Sequence, residues 1–418
     1  MRVLHFIPNL KAVAGSSFLG YKAQLIAALA DKADVTVLTR DAGHTPLGKA
    51  EIRTFYTADM LAMKRKRFFS KALDSLRPDV VHIHACWNKA ADTLSKECAR
   101  RSIPTVMTLD RRLEAWHVRQ RYWSHKLPKM LLFQRCMLSR VGALHFLSSN
   151  ELSSFETFGW HPCLKPKRSL NERTAVIEPF NITAGTSAGA MAGAMLALYR
   201  KVADSAPFFQ MTADERKAED LLLAAGMAAG HPGLATPGED DMSVLRSLDG
   251  KAWRRIFIHA HDEGISDYIK AGAEQTGIRY PETGADTIDR FRMHAGSKHA
   301  GKDFAKSKKI SKLKSDAALP DFERVLCAEF AVLIMKIRHS CAHRSDFARM
   351  YGLLRFNEYD EDSVRDRLHG MGFGKDAARV LQVMEERYNL GEGFMFADPL
   401  DDNGTRKLRQ KLFKSEIQ

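Results

Sequence analysis

Cysteine is scarce in this chain and never closely spaced. The six residues, Cys86, Cys98, Cys136, Cys163, Cys327 and Cys341, include no Cys-x-x-Cys pair. That excludes a zinc ribbon and a disulfide scaffold, and it fits a reducing compartment with mostly buried thiols. No stretch of about 18 apolar residues runs without charge, so no membrane span is expected. Gly and Pro, 27 and 14 of 418 residues, are too few for a collagen-like or wholly disordered chain. No Gly-x-Gly-x-x-Gly occurs, so a dinucleotide site is not expected. The apolar segment after Met1-Arg2 is short and no small-residue cleavage site follows it, so no signal peptide is expected.

What is present is globular: 45% apolar and 27% charged residues, over a length that suits two or three domains. The net charge of +14 is placed unevenly. Residues 1–170 hold 28 Lys+Arg against 13 Asp+Glu, and residues 171–418 hold 36 against 37. A basic N-terminal part suits an anionic lipid surface, a phosphorylated substrate or nucleic acid, or serves solubility alone.

The first half alternates strand and helix patterns. Strands are expected at Arg2–Pro8, Asp34–Thr39, Ile52–Tyr56, Val80–His84, Pro104–Asp110, Ala143–Leu147 and Ala175–Ile177. Helices are expected from Ser16 or Ser17 to Asp31, over Met60–Leu76 and Lys89–Arg101, and from Ser149 to Gly159. This alternation implies an α/β, Rossmann-like doubly wound parallel sheet over residues 1–183. Residues 184–418 read as a mostly helical domain, with helical spacing in Ala190–Asp204, Ala213–Ala225, Phe322–His339 and Ala377–Tyr388. One strand is expected there, Arg255–His259, and residues 294–314 read as an exposed basic linker.

The strings Arg2-Val-Leu-His-Phe-Ile-Pro8, Val35-Thr-Val-Leu-Thr39, Arg77-Pro-Asp-Val-Val-His-Ile-His84, Ile103-Pro-Thr-Val-Met-Thr-Leu109 and Ser148–Gly159 carry a resemblance. In order and spacing they are similar to the N-terminal domain of GT-B glycosyltransferases of the family 4 type. The resemblance implies retaining transfer of a sugar from a nucleotide donor to a glycan or lipid-linked acceptor. It implies polysaccharide or glycolipid assembly, a cytoplasmic or peripheral membrane location and no cofactor. It covers a little over two fifths of the chain. The family's second Rossmann domain, with two glutamates seven residues apart in a glycine-rich context, has no counterpart after residue 184. Glu358 and Asp366 have similar spacing without the glycines.

Ligands of an open parallel sheet sit beyond the carboxyl ends of its strands. Gly15, Ser16 and Ser17 follow the first strand, where a helix N-terminus and a glycine favour a phosphate; an ordinary capped turn is the alternative. His82 and His84 share one face of their strand and either hydrogen-bond a substrate, with His84 in a catalytic role, or pack under a helix. Trp87 follows at the strand tip. Asp110 stands where the resembled family has a histidine that contacts the transferred sugar. A carboxylate there accepts hydrogen bonds from sugar hydroxyls but lacks imidazole's donor. Glu114 and Trp116 would complete an acceptor pocket or else anchor the next helix.

Lys64–Lys71 and Arg111–Arg135 mix cations with aromatics, as surfaces that lie on anionic lipid do. No RNA- or DNA-binding motif accompanies them, so a nucleic-acid partner is not favoured. In the second half, His259 and His261 with Asp262 or Glu263 lack an identifiable third ligand, so no metal is assigned. Arg338-x4-His343 resembles the short motif of HEPN-type helical ribonucleases. Three readings stay open: a glycosyltransferase-like enzyme, a non-catalytic acceptor-binding subunit whose missing half a partner protein supplies, and a HEPN-like nuclease fused to a Rossmann-like domain.

Overall fold

The computed structural model describes residues 1–14, 20–43, 46–55, 62–156, 173–180, 187–229, 237–281, 284–285, 287–291, 303–316 and 318–413. The chain divides into two compact units. Unit 1 is Met1–Ala206 with Ile288–Met293, and unit 2 is Pro207–Thr287 with His294–Gln418.

Unit 1 is α/β. Its strands are β1 (Arg2–Phe6), β2 (Asp34–Thr39), β3 (Glu51–Thr54), β4 (Val80–Ile83), β5 (Thr105–Thr108), β6 (Ala143–Phe146) and β7 (Thr174–Val176). They form one all-parallel sheet in the order β3-β2-β1-β4-β5-β6-β7. The order fits a Rossmann-like fold. Chain direction through the sheet reverses between β1 and β4, where His5 pairs with His82, and such a switch point is where doubly wound sheets open a crevice.

The strands read as continuous apolar runs because both faces are covered. Val3, Ile7, Val35, Val37, Val80, Val106 and Ala143 pack against one helical layer. It contains α2 (Tyr21–Ala30), which follows the short α1 (Leu10–Ala14), and supplies Leu25, Ile26 and Leu29. Leu4, Phe6, Val81, Ile83, Met107, Leu144 and Phe146 pack against the other layer. That layer holds α3 (Ala62–Leu76), α4 (Lys89–Arg100), the short α5 (Ala115–Arg119) and a helical rod spanning 122–140. The rod is α-helical at Leu127–Lys129 and Arg135–Arg140 and widens to π-turns at Tyr122–Lys126 and Met130–Gln134. Helix α6 (Ser149–Glu156) follows β6.

Helix α7 (Ala188–Ala203) corrects the domain boundary expected at 183/184. Ser187 caps it by accepting from the Ala190 N–H at 3.1 Å. Its Met191, Met195, Tyr199 and Val202 lie in the core under the sheet beside α2, so unit 1 continues to Ala206. Residues Ile288–Met293 rejoin it: Phe291 is buried there and donates its N–H to Ser205 Oγ at 2.8 Å.

Unit 2 is helical throughout its described residues. The strand expected at Arg255–His259 is a turn of the helix Gly250–Asp262. The run Ile-Phe-Ile suits a strand locally, but Asp249 caps a helix here by accepting from the Ala252 N–H at 2.7 Å. Trp253, Ile256, Phe257 and Ala260 then fall on one buried face at helical spacing. The exposed linker expected at 294–314 is corrected where it is described. Phe304–Lys306 is a 3₁₀ turn and Lys308–Lys314 a helix, and Phe304, Ile310 and Leu313 are buried. Residues 294–302 lie outside the described residues. Helices Ala213–Met227 and Ser266–Gln275 touch backbone to backbone. A Cβ on Gly226 would lie 1.9 Å from the Tyr268 carbonyl oxygen, and one on Gly272 1.9 Å from that of Leu222. No described helix of either unit is long and apolar enough to cross a membrane.

Candidate functional site

The carboxyl ends of β1, β4, β5 and β6 bring together an unusually polar layer beneath α2 and α7. Strand alternation explains it. The face that carries Val3, Val80, Val106 and Ala143 carries His5, His82, His84, Thr108 and His145 further along the same strands. Helix α2 adds Tyr21 and Lys22, and α7 adds Tyr199. The four imidazoles are buried, and burial holds each well below the usual histidine range. His5 falls to about 3 and His145 to about 4, while His82 and His84 are lowered strongly, with the Lys22 charge adding to the effect of burial at His5, His82 and His84.

Neutral imidazoles fix the direction of a hydrogen-bond chain. His145 Nε2 lies 3.0 Å from the Ile177 carbonyl, which only accepts, so His145 carries its proton there. Its Nδ1 therefore accepts from the Thr108 hydroxyl at 2.7 Å. Thr108 has then used its single proton and accepts from His82 Nε2 at 2.6 Å. His82 Nδ1 in turn accepts from the Tyr199 hydroxyl at 2.7 Å. Every nitrogen of His82 and His145 is thus committed. The substrate contact expected of His82 is not available to it in this arrangement.

His5 and His84 are arranged differently. His5 Nδ1 and His84 Nε2 lie 3.0 Å apart, so one donates to the other. His5 Nε2 and His84 Nδ1 are buried without a partner among the described residues. Whichever tautomers are chosen, one of these atoms is a bare acceptor and the other a bare N–H donor. Two more buried atoms nearby lack partners among the described residues, the Tyr21 hydroxyl and Asp110 Oδ1. Asp110 Oδ2 accepts from Lys22 Nζ at 2.6 Å, and Lys22 is only 1% exposed. Burial, reinforced by Asp110 and Glu151, raises the Tyr21 phenol well above its ordinary value. Asp110 and Arg111 have φ of +51° and +58°, a backbone conformation uncommon outside glycine. Such turns cluster where a chain must aim a side chain.

Glu151, near the start of α6, closes the same edge. Its carboxylate accepts from the N–H groups of Leu147 at 2.7 Å and Arg111 at 2.5 Å, and burial raises its pKa. The Cys86 thiol lies 3.6 Å from the Leu109 carbonyl, and burial pushes its pKa well up, which favours the protonated thiol.

His5, His82 and His84 offer nitrogens within 4.8 Å of one another, a spacing that three metal ligands share. His82 already serves Tyr199 and Thr108. Two imidazoles remain, one fewer than the three protein ligands of a catalytic zinc site.

The other expected residues sit apart from this layer in their bonding. Glu114 is occupied by Arg111 Nε at 2.5 Å and by the Trp116 indole N–H. Trp116 leaves its ring outside, 54% exposed. Trp87 donates its indole N–H to the Arg112 carbonyl at 3.1 Å, under the Lys126 ammonium. Glu114, Trp116 and Trp87 are thus each tied into their own loops, with the Trp116 ring left facing outward. Gly15, Ser16 and Ser17 lie outside the described residues.

In unit 2 the histidine motifs come apart. On the helix Gly250–Asp262, His259 and His261 point to different sides. His259 is buried with its Nδ1 2.7 Å from Glu219, and His261 is half exposed. Arg338 ends the helix Asp321–Arg338 and pairs with Asp376, while His343 caps the next helix, Arg344–Arg355. The arginine and histidine of the nuclease-like motif therefore lie on either side of a helix-to-helix turn and not on one helix. Compared with protein-family models, curated proteins and solved structures, the chain matches none.

Proposed function

We propose that unit 1 binds a polyhydroxylated ligand, a nucleotide sugar or a glycan, at the carboxyl edge between β1, β4 and β5. In this reading the chain is a glycosyltransferase-like protein of polysaccharide or glycolipid assembly. The observation that carries the reading is the set of four buried, unpartnered polar atoms: His5 Nε2, Tyr21 Oη, His84 Nδ1 and Asp110 Oδ1. Leaving such atoms unpaired costs about 1–3 kcal/mol each. A ligand with alternating hydroxyl donors and acceptors relieves that cost. Asp110 Oδ1 accepts from one hydroxyl, the phenol of Tyr21 gives or takes another, and the His5–His84 pair supplies one donor and one acceptor. The order of the five strings named above supports placing this edge among sugar-handling sheets.

The purely helical unit 2 supports a second reading. Without a second sheet among the described residues, the chain acts as an acceptor-binding subunit and a partner protein supplies the donor site. Titration of nucleotide sugars and acceptor glycans against the parent, with release of nucleoside diphosphate followed in parallel, separates these. Turnover supports the enzyme. Binding without turnover supports the subunit. The absence of binding by either ligand class, in a protein whose circular dichroism is intact, would refute both.

A further inference from the structure

The geometry points to a lipid-docking face on the outer side of the segment 115–135, independent of what the carboxyl edge binds. Nine large apolar side chains are exposed among the described residues, and four of them, Trp116, Trp123, Leu131 and Leu132, fall on this one segment. Trp123 is 75% and Leu132 74% exposed. The inward side of the rod is complete without them: Tyr122, Met130, Phe133, Met137 and Leu138 are buried in the sheet's core. The exposed residues are therefore not a leftover of core packing.

The charge around them has one sign. Residues 115–139 contain Arg119, Arg121, Lys126, Lys129 and Arg135 and no Asp or Glu. Of these, Arg119, Arg121 and Lys129, with Arg112 just upstream, have no carboxylate partner among the described residues. Helix α3, in the same layer, adds exposed Met63 with exposed Lys64, Lys66, Arg67 and Lys71.

Each feature narrows the occupant. Adjacent leucines beside a tryptophan are poor partners for nucleic acid, whose single strands take stacking rings and not aliphatic side chains. A second copy of this face would set cations against cations. An anionic bilayer surface matches all three features: indole at the headgroup level, leucines in the acyl boundary and cations over the phosphates. Side chains of this size reach only the headgroup level and the acyl boundary, so the mode is peripheral.

The test is co-sedimentation of the full chain with vesicles of phosphatidylcholine, alone or doped with phosphatidylglycerol. The parent should bind only the anionic vesicles, less tightly as salt rises. Leu131→Ser/Leu132→Ser should weaken binding roughly a hundredfold, from the loss of two buried aliphatic side chains. Arg119→Gln/Arg121→Gln should weaken it roughly 25-fold at low salt, at about 1 kcal/mol per cation, and much less at high salt. Because these side chains are exposed, thermal melts of both variants should overlay the parent. Absence of vesicle binding, or binding that survives the leucine pair, overturns the proposal. So does a self-association, or an affinity for single-stranded RNA, that the leucine pair abolishes while vesicle binding remains.

Discussion

Unit 1 should be acid-sensitive, because four imidazoles are held neutral inside it. The unfolded chain protonates histidine near pH 6.5, whereas the folded unit resists protonation down to about pH 3 at His5 and about pH 4 at His145, with His82 and His84 also strongly lowered. Protons therefore bind the unfolded state preferentially below pH 6.5. The stability these groups contribute is complete above that pH and is lost as pH falls toward the folded values. Each neutral-held histidine costs about 1.4 kcal/mol per pH unit, or roughly 2 kcal/mol between pH 6.5 and 5. Four cost roughly 8 kcal/mol, comparable with the whole stability of a typical domain. Glu151 works the other way, since its raised pKa lets the folded state take a proton first, and as a single group it offsets at most one of the four. The assay is urea denaturation at a series of pH values, followed by tryptophan fluorescence. Unit 1 holds Trp87, Trp116, Trp123 and Trp160, and unit 2 only Trp253. The pH slope of unfolding free energy should correspond to about three protons between pH 6.5 and 5. A slope under one proton would refute the picture of a neutral, buried histidine layer.

Two further perturbations probe the packing. Gly272→Ala places a Cβ against the Leu222 carbonyl and should destabilise unit 2 by about 3 kcal/mol; a change under about 0.5 kcal/mol in Trp253-detected unfolding would contradict the backbone contact. Lys22→Met leaves Asp110 as a buried carboxylate without its cation and should cost about 3–5 kcal/mol, whereas Lys22→Met/Asp110→Asn should recover most of it. A double variant no more stable than the single one would show that the pair is not coupled.

The sheet was legible because a strand covered on both faces must be apolar along its length. Val80–Ile83 and Thr105–Thr108 needed no partner to be recognised. Helix α7 was harder to place, since an Ala- and Met-rich helix has the same pattern whether it covers a sheet or joins a bundle. The run Ile256-Phe257-Ile258 misled for the reverse reason: β-branched and aromatic residues also build a buried helix face once Asp249 caps it. At the site, His82, His84 and Asp110 were visible as polar residues ending apolar strands. His5 carries the same signal, a lone polar residue alternating with Val3 and Ile7, but no motif sets it apart from an ordinary strand residue. Lys22 and Tyr199 carry no local sign of burial, because their environment is made by strands far away in sequence. The neutralisation of Glu114 by Arg111 and Trp116 is likewise a matter of loop geometry that spacing does not encode.

The most direct test of the carboxyl-edge site is the state of its histidine nitrogens, read by long-range ¹⁵N–¹H spectra with and without a saturating nucleotide sugar or glycan. In the free protein, His82 and His145 should both be neutral with the proton on Nε2. On binding, His5 and His84 should shift as their unpartnered nitrogens acquire partners, while His82 and His145 keep their tautomers. A ligand that binds and leaves His5 and His84 unmoved would contradict the account, as would a free protein in which His82 carries its proton on Nδ1.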